Sequence, residues 1–180
     1  MTQHEPRVPL VGDDTDSDLA AAVFAKGHEL SGRSPVLYRM LANAPELLDA
    51  WVSFAWPLRN EARTPRALRE LMILRVARLD GAEYERVQHE PMARAAGATD
   101  VQIDALGDWR GAPAGTFDDT EQAALALADG IATGGDVDDV TWGPIAERFD
   151  PRGCVELVLT ASFYACVSRV LKTLRVPLHE

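Results

Sequence analysis

Hydrophobic and polar positions follow a helical period along most of the chain. The clearest example begins at Thr64 and Pro65 and ends at Gly81, and its apolar positions fall on one helical face. Those positions are Leu68, Leu71, Met72, Val76 and Leu79. Segments with the alternating period of a β-strand are scarce. The pattern therefore predicts an all-α fold, a compact bundle of about seven or eight helices.

Capping residues and prolines indicate where individual helices begin and end. Ser17 or Asp18 is expected to cap the first helix, because either side chain can accept a hydrogen bond from an N–H group at a helix start. Pro45 opens a later helix, since proline is well tolerated in the first turn. That helix is expected to end near Pro57, because proline has no N–H group to continue the hydrogen-bond pattern.

The segment from Cys154 to Leu171 is apolar almost all round, which predicts a central helix or one buried at a subunit contact. An unpartnered buried carboxylate is costly, so Glu156 within this run is expected to pair with an arginine such as Arg75 or to face a polar pocket. Cys154 and Cys166 would lie roughly 18 Å apart along the helix, too far for a disulfide. We expect both cysteines to be packing residues without chemistry.

Length and composition are typical of a globular protein. The chain has 180 residues, of which 47% are hydrophobic, and residues 16–180 are predicted to form a single domain after a polar, disordered tail over residues 1–15. The start lacks the pattern of a signal peptide, which predicts a cytoplasmic protein. No apolar run approaches the roughly 20 residues of a membrane span. A net charge of −10 opposes binding to nucleic acid.

Three titratable residues form the candidate catalytic site. Glu85 and His89 are four residues apart, so they share one face of a helix. The turn at Gly81 is expected to fold this helix back against the preceding one, which carries Glu70. Two carboxylates beside one imidazole can shift pKa values toward neutrality, as general acid–base catalysis requires. The alternative is three solvated charges on helix surfaces.

Other kinds of catalytic site are poorly supported. Glu85, His89 and Glu70 could bind zinc or iron only with a further ligand, and the chain has no HExxH or ExxH pair on another helix. No GxSxG or similar nucleophile context appears. We therefore expect neither a metal nor a hydrolase triad.

Residues 69–106, 117–131 and 155–178 resemble the carboxymuconolactone decarboxylase-like superfamily, an all-helical group that includes alkylhydroperoxidases. The peroxidase signature is a Glu, eleven residues, CxxC, three residues and a His. Glu70 and His89 match its ends, while Ala82 and Glu85 stand where the two cysteines belong. Disulfide-based peroxidase activity needs both thiols, so the resemblance implies that this chain lacks it.

The resemblance to the decarboxylase branch implies cofactor-free acid–base chemistry on a small unsaturated lactone or organic acid. His89 would carry the proton, with Glu85 or Glu70 orienting its ring. The oligomeric state that is usual in this family implies a homo-oligomer, either a trimer or a hexamer. The candidate substrate-binding residues are Tyr84, Arg86, Arg63, Trp56 and Tyr164.

Two other functions stay open, because a fold does not fix a reaction. One is a different acid–base enzyme, such as an isomerase, dehydratase or hydrolase. The other is a non-catalytic oligomer that binds a small molecule. Convergence of Glu70, Glu85 and His89 beside an enclosed pocket would favour an enzyme.

Overall fold

The computed structural model describes residues 5–178, and within them the chain forms nine α-helices, one 3₁₀ segment and no β-strand. The all-α prediction is therefore confirmed. The elements are α1 (Asp18–Ser31), α2 (Val36–Leu41), α3 (Pro45–Asn60), α4 (Arg66–Asp80), α5 (Glu83–Ala95), α6 (Asp100–Ala105), the 3₁₀ segment (Leu106–Gly111), α7 (Asp119–Thr133), α8 (Asp139–Arg148) and α9 (Pro151–Leu174).

Local signals set most of the helix ends, with one exception. Ser17 caps α1 as expected, because its side chain accepts a hydrogen bond from the backbone N–H of Ala20. Pro57 does not end α3, which continues to Asn60. Proline removes only one backbone donor, and the N–H of Glu61 still donates to the carbonyl of Pro57 at 2.8 Å.

The chain divides into two compact units. One holds the residues up to Glu61 together with those from Leu171 onward, and the other holds Ala62–Val170. A division by compactness does not by itself define two domains. The single domain over residues 16–180 therefore stays a prediction.

In the first unit, α1, α2 and α3 pack around buried side chains that include Phe24 and Leu48. Residues 7–11 join this unit, since the N–H of Val11 donates to the carbonyl of Arg39 at 3.0 Å and Arg39 Nε donates back to Val11 at 2.9 Å. Val11 also packs against the core. The disordered tail over residues 1–15 stays a prediction, and residues 1–4 lie outside the described part.

In the second unit, α4 lies at the centre and contacts α5, α6, α7 and the 3₁₀ segment. Buried side chains from these elements fill the interior, among them Leu71, Leu74, Ile103, Leu106 and Leu125. Helix α4 is buried on more than the predicted face, because Arg69 and Glu70 are also buried. Leu79, assigned by the pattern to the buried face, is exposed.

Contrary to the expectation that no apolar run approaches the length of a membrane span, helix α9 is long and apolar enough to cross a membrane by length and composition alone. Its apolar window is 56% buried inside the protein. Core helices of globular proteins share these properties, so this is weak support for a span. Cys154 is buried and Cys166 is exposed, and neither forms a disulfide. The packing role predicted for the cysteines therefore fits Cys154 and not Cys166.

Glu156 of α9 has a structural pair, although its arginine differs from the predicted one. Its Oε1 accepts a hydrogen bond from Arg152 Nε at 2.9 Å, and its Oε2 accepts from the backbone N–H groups of Arg63 and Thr64, each at 2.9 Å. Burial alone would raise the pKa of Glu156, but these hydrogen bonds lower it to about 2. Arg75 pairs instead with Asp129, with 2.5 Å between Nε and Oδ1.

Candidate active site

A tight turn joins the two helices that carry the predicted catalytic residues. Gly81 ends α4 in the left-handed conformation, with φ 63°, which favours glycine. The N–H of Ala82 donates to the carbonyl of Ala77 at 2.8 Å and satisfies one of the free carbonyls at the helix end. After this reversal α5 packs against α4. Residues before and after Gly81 are thereby brought together.

The structure brings Glu70, Glu85 and His89 into one buried cluster. Nδ1 of His89 lies 2.7 Å from Oε2 of Glu70, and Nε2 of the same ring lies 3.1 Å from Oε2 of Glu85. The exposed fractions of the three side chains are 0% for Glu70, 6% for Glu85 and 5% for His89. The predicted convergence is therefore present, and solvated surface charges are excluded.

The two nitrogen contacts of the His89 ring differ in kind. Nδ1 and Oε2 of Glu70 form a hydrogen bond, whereas Nε2 lies within ion-pair distance of Glu85, whose Oε2 has no hydrogen-bond partner among residues 5–178. Attraction to two carboxylates favours the doubly protonated, charged form of His89.

Arg66 completes the cluster, and sequence analysis missed it. Its Nη2 forms an ion pair with Oε1 of Glu70, the carboxylate oxygen that does not face His89. With the ring charged, two positive groups, Arg66 and His89, balance two negative ones, Glu70 and Glu85. The spacing of four residues between Arg66 and Glu70 in α4 was the signal that could have revealed this pair.

The surroundings of His89 favour its charged form. Burial by itself lowers the pKa of His89, because it disfavours charge in a dry environment. The hydrogen bonds to Glu70 and Glu85, and their negative charges, act in the opposite direction and outweigh burial. The pKa of His89 is therefore raised above its ordinary value of 6.5.

Tyr164 from α9 forms one wall of the cluster, and its role in substrate binding stays a prediction. Its ring meets the His89 ring edge to face, with 4.9 Å between centroids and an interplanar angle of 85°. Tyr84, predicted to bind substrate, is buried in α5. The aromatic contact restricts the orientation of His89 from a second helix.

The other three predicted substrate-binding residues lie in different settings. Arg86 forms ion pairs with Glu83 and Glu90, and its hydrogen bonds to them raise its pKa. The Arg63 side chain is exposed, while its backbone N–H holds Glu156. Trp56 belongs to the first unit, where Lys26 Nζ lies 3.7 Å from its ring centroid.

Two cavities lie in the second unit. One, of about 600 Å³, lies at the α4–α5 turn, and its lining includes Arg75, Arg78, Ala82 and Arg86. The other, of about 390 Å³, is mostly apolar and lies among α7, α8 and α9, with Arg169 in its lining. Glu70, Glu85 and His89 line neither cavity. Ala82, in the first cavity, lies one turn of α5 before Glu85.

The donor set does not suit a metal. A metal ligand needs a free nitrogen lone pair, whereas both nitrogens of His89 face carboxylate oxygens. Among residues 5–178, no group of three or more His, Cys, Asp and Glu side chains is arranged to hold a metal ion.

The positions that carry thiols in the peroxidase signature hold no sulfur. Ala82 caps α5, and Glu85 in its first turn contacts His89. Both cysteines of the chain lie in α9 instead. The site therefore lacks the attacking and resolving thiols that disulfide-based peroxide reduction requires.

Comparison with known proteins shows the fold and a family similarity over part of the chain. The family model described as carboxymuconolactone decarboxylase family matches residues 45–130, a range that includes Glu70, Glu85 and His89. No curated protein sequence matches the chain.

Several solved structures are similar over nearly their whole length. An uncharacterized peroxidase-related protein from Ralstonia eutropha JMP134, described as an alkylhydroperoxidase AhpD core, has a TM-score of 0.83 and 15% identity, over 96% of this chain and 91% of that one. A peroxidase-related protein from Silicibacter sp. TM1040 has a TM-score of 0.80 and 19% identity, over 98% and 94%.

The debrominase Bmp8, solved as a cysteine-to-alanine variant with 2,3,4-tribromopyrrole, has a TM-score of 0.78 and 16% identity, over 97% of this chain and 94% of that one. At these identities the likeness shows the fold, and the family match covers residues 45–130 of the 180-residue chain. The chain has the alkylhydroperoxidase-like fold, and its residues 45–130 are similar to the carboxymuconolactone decarboxylase family but lack the CxxC pair.

Proposed function

We propose that this protein is a cofactor-independent enzyme that donates a proton to carbon in a small unsaturated lactone or organic acid, with decarboxylation as the reaction. One observation carries the proposal: the buried ring of His89 lies between two buried carboxylates, with Nδ1 hydrogen-bonded to Glu70 at 2.7 Å and Nε2 3.1 Å from Glu85. Burying three titratable groups is costly for stability, and such clusters concentrate at functional sites.

The two carboxylates have unequal roles in this proposal. The contact to Glu70 is the shorter, 2.7 Å against 3.1 Å, and Arg66 holds Glu70 from its other oxygen. Glu70 therefore fixes the ring through Nδ1. Glu85 is the weaker partner, and a substrate that displaces it from Nε2 would receive the proton held there.

The residues suit a decarboxylation in which the substrate supplies its own electron sink. The C–C bond to the carboxylate breaks, CO₂ leaves, and the bonding electron pair passes into the conjugated carbonyl system of the lactone. His89 then gives its Nε2 proton to the carbon, forming the new C–H bond, and regains a proton from water. Glu70 stabilises the charged ring before transfer.

The similar structures support the proposed substrate size. The debrominase was solved with 2,3,4-tribromopyrrole, a single five-membered ring. A small lactone has a comparable ring. Debromination itself is not proposed for this chain, since Ala82 and Glu85 occupy the places of the family's thiols.

The experiment is a screen of unsaturated lactones and β-keto acids for CO₂ release, carried out in D₂O with the wild type and His89→Asn. We expect CO₂ release and deuterium at the carbon that lost it, both dependent on His89. Deuterium incorporation without CO₂ would favour an isomerase or related enzyme. Saturable binding of these compounds without any turnover would favour a non-catalytic binding protein.

A further inference from the structure

The cavity at the α4–α5 turn is lined by three arginines, Arg75, Arg78 and Arg86, and by one acidic residue, Glu83. Its volume of about 600 Å³ exceeds that of a single small ring, so a small acid has room to enter. Arginine side chains recognise carboxylates because their planar N–H groups match both oxygens. Which of the three arginines can bind a ligand depends on the partners that each already has within the protein.

Two of the arginines are already neutralised. Arg75 pairs with Asp129 at 2.5 Å and donates to the carbonyl of Leu106 at 2.7 Å. Arg86 pairs with both Glu83 and Glu90. Each therefore has a carboxylate partner within the protein and adds little net charge to the cavity.

Arg78 differs from both. Its Nη2 donates to the backbone carbonyl of Ile103 at 3.0 Å, and within residues 5–178 it forms no ion pair. Its Nε is buried and has no hydrogen-bond partner among these residues. Arg78 also lines the cavity, so an anion there can pair with its guanidinium group.

The first turn of α5 adds to this preference for an anion. Ala82 lies at the helix start and provides no side-chain cap. The N–H groups of a helix start carry partial positive charge and favour anions. This is a supporting feature, and the unpartnered Arg78 is the primary one.

We propose that this cavity binds the carboxylate of the substrate, with Arg78 as the anchoring cation. The proposal rests on the proposed function for the identity of the ligand as a substrate. Because Arg75 and Arg86 already pair with carboxylates, Arg78 is the lining arginine left for a ligand, and one guanidinium matches one carboxylate group.

The position of the cavity suits the proposed chemistry. Ala82 precedes Glu85 by three residues and His89 by seven on the same helix, about 4.5 Å and about 10 Å along its axis. Along α5 the carboxylate site therefore lies closer to Glu85 than to His89.

Calorimetric titration tests the site with defined probes: 2-furoate, the uncharged 2-furamide and inorganic phosphate. We expect 2-furoate to bind and 2-furamide not to bind. Arg78→Gln should weaken 2-furoate binding about 10- to 100-fold, the typical effect of losing a charged hydrogen-bond partner. Arg94→Gln is the matched control, since Arg94 lies exposed on α5 outside the cavity lining and should bind 2-furoate as the wild type does.

A second variant keeps Arg78 and its contact to Ile103. A Cβ added at Gly107 would meet only Arg78 Nη1, at an ordinary distance of 3.9 Å. Gly107→Asp would thus place an internal carboxylate beside Arg78 and should weaken 2-furoate binding at least 10-fold. Gly107→Asn adds the same bulk without charge and should retain binding.

Three results would each overturn the proposal. The first is wild-type affinity for 2-furoate in Arg78→Gln or Gly107→Asp. The others are equal binding of 2-furamide and 2-furoate, and tighter binding of phosphate than of 2-furoate. His89→Asn separates the two claims, because it should retain 2-furoate binding. Binding that depends on Arg78, together with turnover that does not depend on His89, would reject the proposed function and keep this site. Turnover that depends on His89, without binding of 2-furoate at this cavity, would reject this site and keep the proposed function.

Discussion

At the scale of single residues, His89 is held unequally by its two carboxylates. Glu70 is fully buried, paired with Arg66, and 2.7 Å from Nδ1, whereas Glu85 is 3.1 Å from Nε2. A ring fixed at one nitrogen and more loosely bonded at the other can keep its orientation while it releases a proton. This asymmetry underlies the proposed roles of the two carboxylates.

His89→Asn is expected to fold and to lose about 10²–10⁴-fold in turnover on the substrate found by the screen, because asparagine cannot carry the proton. Glu70→Gln and Glu85→Gln should each lose less, since they orient and stabilise the ring. Steady-state kinetics gives the ordering. The control is His28→Asn, the same change at an exposed histidine in α1. If His89→Asn kept near-full activity while Glu70→Gln or Glu85→Gln was inactive, the proton carrier would be a carboxylate and not His89.

The sequence predicted the members of this cluster and missed part of its environment. The spacing of Glu85 and His89 and the turn at Gly81 were sufficient to bring Glu70 to the ring. The Arg66 pair was missed although it has the same four-residue spacing. The partner of Glu156 was predicted as Arg75, which instead pairs with Asp129. Which charged residues pair across two helices depends on how the helices pack, and residue spacing alone does not specify that packing.

At the scale of elements, the α4–α5 turn determines whether the cluster forms. Gly81→Ala is expected to cost about 1–2 kcal/mol in the free energy of unfolding, because φ 63° is strained for alanine. An added Cβ meets nothing within 4 Å, so this cost comes from the backbone alone. Gly81→Asn should cost less, since asparagine tolerates this conformation better. Chemical denaturation measures both, and an alanine variant as stable as the wild type would contradict the role of the turn.

Glu156 links α9 to the residues just before α4, and its effect depends on pH. Glu156→Gln is expected to cost roughly 1–3 kcal/mol at neutral pH, because the donors of Thr64 and Arg152 lose a charged acceptor. The pKa is lowered from 4.5 to about 2, so this stabilisation is present above pH 4.5 and is lost as the pH falls toward 2.

Urea denaturation between pH 2 and 7 measures this effect as the difference in free energy of unfolding between the wild type and Glu156→Gln. Glu147→Gln, at a side chain that is 80% exposed, is the control and should change little. A difference that stays constant across the pH range would show that the charge of Glu156 does not hold α9.

The helices themselves were largely predictable, because their apolar period and capping residues are local signals. The exceptions are informative. Helix α3 passes through Pro57 and continues to Asn60, although proline has no N–H group to donate. The start of the chain was predicted as a polar tail, yet the backbone of residues 7–11 finds partners in Arg39 and Leu174. Pairing between distant segments leaves no pattern in the sequence.

At the scale of the whole molecule, self-association stays a prediction. Val155 and Leu159 on α9 are 56% and 37% exposed, which leaves apolar surface on a helix that was predicted to be either central or buried at a subunit contact. We expect light scattering at micromolar concentration to give the mass of a trimer or hexamer. Val155→Asp should lower that mass, and Val140→Asp, at an exposed valine of α8, should not. A strictly monomeric wild type would contradict this prediction.

The protonation state of His89 tests the central claim most directly, and it can be measured without a substrate. Nitrogen-15 NMR of the histidine rings across a pH titration, with His89 assigned by its absence in His89→Asn, reports how many ring nitrogens carry a proton. Because Glu70 and Glu85 outweigh burial, the pKa of His89 should lie above 6.5, with both nitrogens protonated at pH 6.5. A pKa of His89 below 6.5, with a single neutral tautomer at that pH, would contradict its role as the proton donor.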